Sequence, residues 1–202
     1  MPARRPPPGP MQPDLLGAAH HPAEVHRLFF ALMPDAPTRE RLAAAARTLE
    51  ATHPALHARW VRPGRYHATL HFLGDHPQLR EDLVAAAMSV GDTLRAEAFD
   101  WTLDQVASFR ARQPPCVLRG AVEPAPLRAL WETSRRALAL AGLGAHLDGR
   151  FVPHVTVAYS RGVVLEPEAM APVHWRVDRL ALIDSVVGRP DYRVLGAWRL
   201  AG

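Results

Sequence analysis

The chain has 202 residues, long enough for one substantial domain or two small lobes. At 48% hydrophobic and 22% charged residues its composition is that of an ordinary globular protein, and no apolar run approaches the roughly 18 residues of a membrane span. One cysteine, Cys116, excludes an internal disulfide framework and, with no apolar leader at the N-terminus, points to a cytoplasmic protein. The net charge of +4 admits an anionic partner without requiring one. All 24 basic residues are arginine, and lysine and asparagine are absent, a bias that a GC-rich genome also produces.

Residues 1–25 are rich in proline and lack periodicity, and are expected to be a disordered tail. Residues 26–202 are expected to form a single bilobal domain. Arg27–Leu32 reads as a buried strand, ended by Pro34 and Pro37, with Thr38 as the expected N-cap of a helix reaching Thr52. His57–Val61 reads as a short strand. His67–Leu73 is a further strand, stopped by Gly74-Asp75, and a second helix follows over Gln78–Val90. Phe99, Trp101 and Leu103 alternate with polar residues, as in a half-buried strand, and Ser108–Pro115 reads as a loop. Then come a strand over Cys116–Val122, a helix from Pro124 and Pro126 to about Leu140, and an apolar segment Arg150–Tyr159. Trp175–Ile183 and Tyr192–Leu200 read as the last two strands.

Two of these strands carry the same device. Tyr66-His67-Ala68-Thr69-Leu70 and Pro153-His154-Val155-Thr156-Val157 both read His-x-Thr-aliphatic. In a strand, residues two apart share a face, so each histidine stands beside its threonine, about 6–7 Å along the chain. The surroundings repeat too. Ala31–Arg39 and Gly120–Arg128 each run from a strand exit through Ala-Pro into an arginine-bearing helix, and each leads on to a His-x-Thr strand. An internal duplication with a pseudo-two-fold axis follows, with the two strands facing across a shared cleft.

Two imidazoles across a cleft suit proton transfer at phosphorus. One, neutral, takes a proton from the attacking water; the other, protonated, gives one to the departing oxygen. Each role is worth about 10²–10⁴-fold. The threonine hydroxyls can donate to non-bridging phosphate oxygens, and none of these steps needs a metal.

The doubled His-x-Thr motif has Phe72-Leu73-Gly74 after its first copy and Phe151-Val152-Pro153 before its second. Arg27–Ala31, Trp60–Pro63 and Trp175–Leu182 accompany it. Over about His26 to Leu200 the chain resembles the 2H phosphoesterase superfamily, and within it the RNA 2′,3′-cyclic phosphodiesterases, also called 2′-5′ RNA ligases. The resemblance implies an α+β, bilobal, pseudo-two-fold fold, with two antiparallel sheets lining a central cleft and helices outside. It implies hydrolysis of RNA or nucleotide 2′,3′-cyclic phosphate ends to 2′-phosphates, without a cofactor or metal, and reversible 2′-5′ joining of RNA. It makes His67 the proton donor and His154 the proton acceptor, with Thr69 and Thr156 on the phosphate. Many relatives carry arginine three positions after the second threonine. Here Tyr159 stands there, expected on the His154 side, and Arg161 is the nearest arginine. Tyr159 and Arg161 are therefore further candidate substrate contacts; Phe151, which reads equally as a core residue, is another, as a ring that could stack on a base.

Two other readings stay open on the residues alone. His71 shares the His67 face under strict alternation, so a zinc site from His67, His71 and His154 is conceivable, though no acid or cysteine completes it. A non-catalytic module binding RNA ends in the same cleft is the other. The expected state is a monomer, because the two motifs complete one site.

Overall fold

The structure, a computed structural model, describes residues 24–202. The expected tail lies outside the described residues except for Glu24 and Val25. These two are already tied down: Val187 N–H donates to the Val25 carbonyl (2.9 Å), and Glu24 pairs with Arg189.

Among the described residues, nine strands form two antiparallel sheets. The first sheet has the order β3-β1-β8-β9, from Ala68–His76, His26–Leu32, Arg179–Val186 and Arg193–Arg199. The second has the order β2-β6-β5-β4-β7, from Arg59–Trp60, Val155–Tyr159, Pro115–Arg119, Phe99–Ser108 and Glu168–Val177. The helices are α1 (Ala36–Thr52), α2 (Glu81–Thr93) and α3 (Ala125–Leu138). The fold is bilobal α+β, as the resemblance implies.

The two halves interlock. The first half supplies β1 and β3 to one sheet, but its next strand, β4, crosses over to pair with β5. The second half supplies β5 and β6, and its β8 crosses back to pair with β1. The helices cross as well. α1 packs on β7 and β6 of the second sheet, where Arg41 donates to the His174 carbonyl (2.9 Å). α3 packs on β3 of the first. One apolar core runs through both sheets, from Phe30, Leu32 and Leu73 to Trp101, Leu118, Val157 and Trp175. Burying both sheets in one core makes the lobes mutually dependent for stability.

Several boundaries differ from the sequence expectation. The N-cap of α1 is Asp35, whose carboxylate accepts from Thr38 N–H (2.9 Å), so Thr38 lies inside the first turn. Pro37 in that turn lacks a donor that the helix has no use for there. β3 does not stop at Gly74-Asp75. Gly74 adopts a positive φ of 113° at a bulge, and the strand runs on to His76. β4 extends to Ser108, past the expected end of its alternation. The expected strand Trp175–Ile183 is two strands in two sheets, parted at Asp178. The burial phase slips there, from Trp175 and Val177 to Leu180 and Leu182, because the chain passes from one lobe to the other.

Candidate active site

A cleft of about 910 Å³ opens between the sheets. The first sheet contributes Arg27, Phe29, Thr69, Phe72 and Ser185 to its walls, with His67 directly before β3; the second contributes Arg59, Trp60, Thr156 and Tyr159, with His154 directly before β6. The two His-x-Thr devices therefore meet in one space. No aspartate or glutamate lies among its described lining residues, while Arg27, Arg59, Arg62, Arg65 and Arg189 all do. Such a wall concentrates anions.

Each histidine is held the same way. His67 Nδ1 donates to the Arg65 carbonyl (2.8 Å), and His154 Nδ1 donates to the Val152 carbonyl (2.7 Å). In each case the partner is the carbonyl two residues back, which only accepts, so Nδ1 carries the hydrogen. Nε2 is left for the cleft. Burial pushes the His67 pKa down to about 4, against the opposing hydrogen bond to Arg65 and with help from the nearby charges of His154 and Arg65. Burial likewise lowers His154, opposed by its bond to Val152. Both rings are thus neutral at pH 7 in the free cleft. An anion between them favours protonation, because an opposite charge within about 4–6 Å stabilises the cationic form.

The two motifs also share a backbone irregularity. In β3, Ala31 pairs with Thr69 and Phe30 with His71, leaving Leu70 unpaired. In β6, Val117 pairs with Thr156 and Cys116 with Ala158, leaving Val157 unpaired. The bulge directly after each threonine sends two consecutive residues into the core, Leu70 with His71 and Val157 with Ala158. It then returns the next residue, Phe72 or Tyr159, to the cleft. Strict alternation from His154 turns Tyr159 away, so the expectation that it lies on the His154 side holds only because the bulge brings it in.

The same bulge removes His71 from the site. His71 is 3% exposed and stacks on Trp131 of α3. Its Nε2 donates to Ser134 Oγ (2.8 Å), whose own hydroxyl donates to the Leu130 carbonyl. The zinc reading loses its third ligand. Among the described residues no three His, Cys, Asp or Glu side chains are grouped to hold a metal ion.

Two further candidates lie elsewhere. Phe151 stacks flat on Trp131 with ring centres 5.3 Å apart, beneath the Arg128 guanidinium, and does not line the cleft. Its position before His154 serves packing between α3 and the approach to β6. Arg161 is exposed and also outside the lining; its backbone N–H donates to the Leu56 carbonyl (3.2 Å).

Sequence reasoning missed Tyr192, Phe72, Phe109 and three arginines of the rim, Arg27, Arg59 and Arg189. Tyr192 stands edge-on to His67, 5.4 Å between ring centres, and its hydroxyl donates to the same Arg65 carbonyl (3.4 Å). Phe109 stands edge-on to His154 at 4.8 Å. Arg65 lies over the Tyr192 ring (4.3 Å) and donates to Ser185 Oγ (2.9 Å) and to the Arg189 carbonyl (2.8 Å), bracing the β8–β9 connection against the first motif. For Phe72 a signal existed, because it sits five residues after His67 as Tyr159 does after His154. For Tyr192 none did.

The geometry has close relatives. E. coli LigT in complex with 3′-AMP superposes with a TM-score of 0.69 at 25% identity, over 89% of this chain and 99% of that one. A Thermus thermophilus protein of known structure gives 0.70 at 25% identity, over 87% and 98%. The model of the LigT like Phosphoesterase family matches residues 32–118. An RNA 2′,3′-cyclic phosphodiesterase of Geobacillus stearothermophilus is 30% identical over 155 residues, 71% of this chain. In sequence and fold the chain is similar to the LigT-like 2H phosphoesterases. It spans about half the length of the Geobacillus relative, 48%. The E. coli LigT structures include a complex with phosphate as well, at a TM-score of 0.65 and 27% identity. The match to the family model takes in the first His-x-Thr motif; the structural likeness extends over the second.

Proposed function

We propose that this protein hydrolyses the 2′,3′-cyclic phosphate of RNA ends or nucleotides to a 2′-phosphate, without a metal. The observation that carries the reading is the matched pair of imidazoles, each with Nδ1–H fixed on the carbonyl two residues back and Nε2 left for a shared cleft with no carboxylate among its described lining residues. With the phosphate between them, water attacks phosphorus opposite O3′. His154 Nε2 takes the water's proton as the new P–O bond forms. The P–O3′ bond breaks, and His67 Nε2–H delivers its proton to O3′. Thr69 and Thr156 donate to the non-bridging oxygens, whose charge must be held through the displacement. Their β-branched side chains have few rotamers, which keeps the hydroxyls aimed.

His67 enters the cycle neutral and is protonated as the anionic substrate arrives. Mutual repulsion keeps the two rings from being cationic together, which is the distribution that acid–base catalysis requires. A 5′-hydroxyl in the water's place would make a 2′-5′ linkage by the same transfers. The family resemblance to an RNA 2′,3′-cyclic phosphodiesterase supports the substrate class.

The test is turnover of a 2′,3′-cyclic nucleotide in excess EDTA by the wild type, His67→Ala and His154→Ala. The wild type retains full activity, and each variant loses about 10²–10⁴-fold. Both rings are partly exposed at the cleft wall, so the variants remain folded. Full activity in either variant, or abolition by EDTA, sinks the reading.

A further inference from the structure

We propose that Arg59, seated on the ring of Tyr159, is the cation that meets the substrate phosphate, a reading that rests on the phosphodiesterase function above. Among the described residues, five guanidinium groups line the cleft and no carboxylate does. Three of the five are already engaged. Arg27 pairs with Asp75 (3.2 Å), Arg189 pairs with Glu24, and Arg65 is bound to Ser185 and to the carbonyls of Arg189 and Pro190. Among the described residues no carboxylate pairs with Arg59 or Arg62, so their charge is available to a ligand.

Arg59 is the one of these two that the fold holds beside the motif. It is the direct cross-strand partner of Tyr159 in the β2–β6 pair. Its guanidinium carbon lies 4.8 Å over the Tyr159 ring centre. The bulge at Val157 places that ring on the cleft side, three residues beyond Thr156. Arg62 has left the strand and has no ring beneath it among the described residues.

Stacking occupies the face of a guanidinium and leaves its N–H edges unused. An exposed cation–π contact is worth about 0.5–1 kcal/mol. That is enough to select the rotamer, and too little to compete with a phosphate. The N–H fork of Arg59 therefore stays available for two phosphate oxygens in the bidentate manner.

The arrangement also breaks the pseudo-symmetry of the cleft. Phe72 is the counterpart of Tyr159, and no guanidinium lies over it among the described residues. The reason is β2, an edge strand that the four-stranded sheet lacks beyond β3. The extra strand brings its arginine to the second motif alone.

Binding is measured apart from turnover, with inorganic phosphate titrated calorimetrically into the wild type and into Arg59→Ala, Arg59→Lys, Arg62→Ala, Tyr159→Phe and Tyr159→Ala. Turnover of a 2′,3′-cyclic nucleotide and the thermal midpoint are followed on each. Arg59→Ala is expected to weaken phosphate binding and lower kcat/KM by about 10–100-fold at an unchanged midpoint, the usual worth of hydrogen bonds to a charged group. Arg59→Lys recovers part of this. Tyr159→Phe, which keeps the ring, stays within about 2-fold, and Tyr159→Ala falls between. Adding Tyr159→Arg to Arg59→Ala returns a cation to the same place and restores phosphate binding. Phosphate affinity unchanged in folded Arg59→Ala overturns the proposal, as does the loss appearing in Arg62→Ala instead. A wild type with no millimolar affinity for phosphate overturns it too. Arg59-dependent phosphate binding in a wild type that does not turn over the cyclic substrate upholds this proposal and defeats the hydrolase reading alone.

Discussion

Tyr192 sets its hydroxyl 3.2 Å from Nδ1 of His67. The aromatic in the matching place beside His154 is Phe109, which has no hydroxyl. Each imidazole is anchored on the carbonyl two residues back, Arg65 for His67 and Val152 for His154, so this hydroxyl is what sets them apart. Both donors, Nδ1–H and the phenol, converge on the Arg65 carbonyl and fix the ring plane of His67.

Tyr192→Phe should therefore cost kcat more than KM. A net hydrogen bond is worth about 0.5–1.5 kcal/mol, or about 2–10-fold. Steady-state kinetics on a 2′,3′-cyclic nucleotide provide the check. An increase in KM at constant kcat would instead make Tyr192 a substrate contact.

His71 gives the fold a measurable pH dependence. Burial pushes its pKa down to about 4, opposed by its hydrogen bond to the Trp131 carbonyl. Above pH 6.5 the ring is neutral in both folded and unfolded chains. Between 6.5 and about 4 the unfolded chain binds a proton that the folded one does not. Stability is fully present above this window and falls as pH drops through it, by up to about 3 kcal/mol from this one residue. Urea unfolding at about pH 7 and about pH 4.5, on either side of most of that window, should show a smaller loss for His71→Gln than for the wild type. Parallel losses would show that His71 does not titrate in this window.

The sequence reveals the two His-x-Thr strands and the duplication, because both are carried by local repeats in the chain. It hides what depends on register. A bulge inserts one residue without changing composition, so alternation alone puts His71 in the cleft and leaves Phe72 out. Only pairing with β1 reveals that Leu70 is the extra residue. The crossing of β4 and β8 between sheets is equally silent, since either strand is amphipathic enough for either lobe. Tyr192 lies 125 positions from His67 and reaches it through the β8–β9 connection that Arg65 holds down. Phe151 illustrates the opposite error: adjacency to a motif placed it near the site, while Trp131 on α3 offered a flat apolar face that takes its ring away.

Phe72 is 38% exposed, large and apolar, and faces the cleft. An aromatic in that position suits stacking against a nucleobase, worth about 1–3 kcal/mol per base. Phe72→Ala should raise KM for an oligonucleotide ending in a cyclic phosphate by about 5–100-fold, with a stable fold because the ring is not in the core. Competition binding with a product oligonucleotide should weaken in step. Unchanged KM would place the base elsewhere in the cleft.

Product analysis reads directly which bond the paired histidines break. An RNA oligonucleotide ending in a 2′,3′-cyclic phosphate is incubated with the protein in excess EDTA, and the terminal phosphate is assigned by ³¹P NMR or by phosphatase-resolved chromatography. A 2′-phosphate is expected, formed by the wild type and absent with His67→Ala and His154→Ala. A 3′-phosphate, or an intact cyclic end with the wild type, would contradict it.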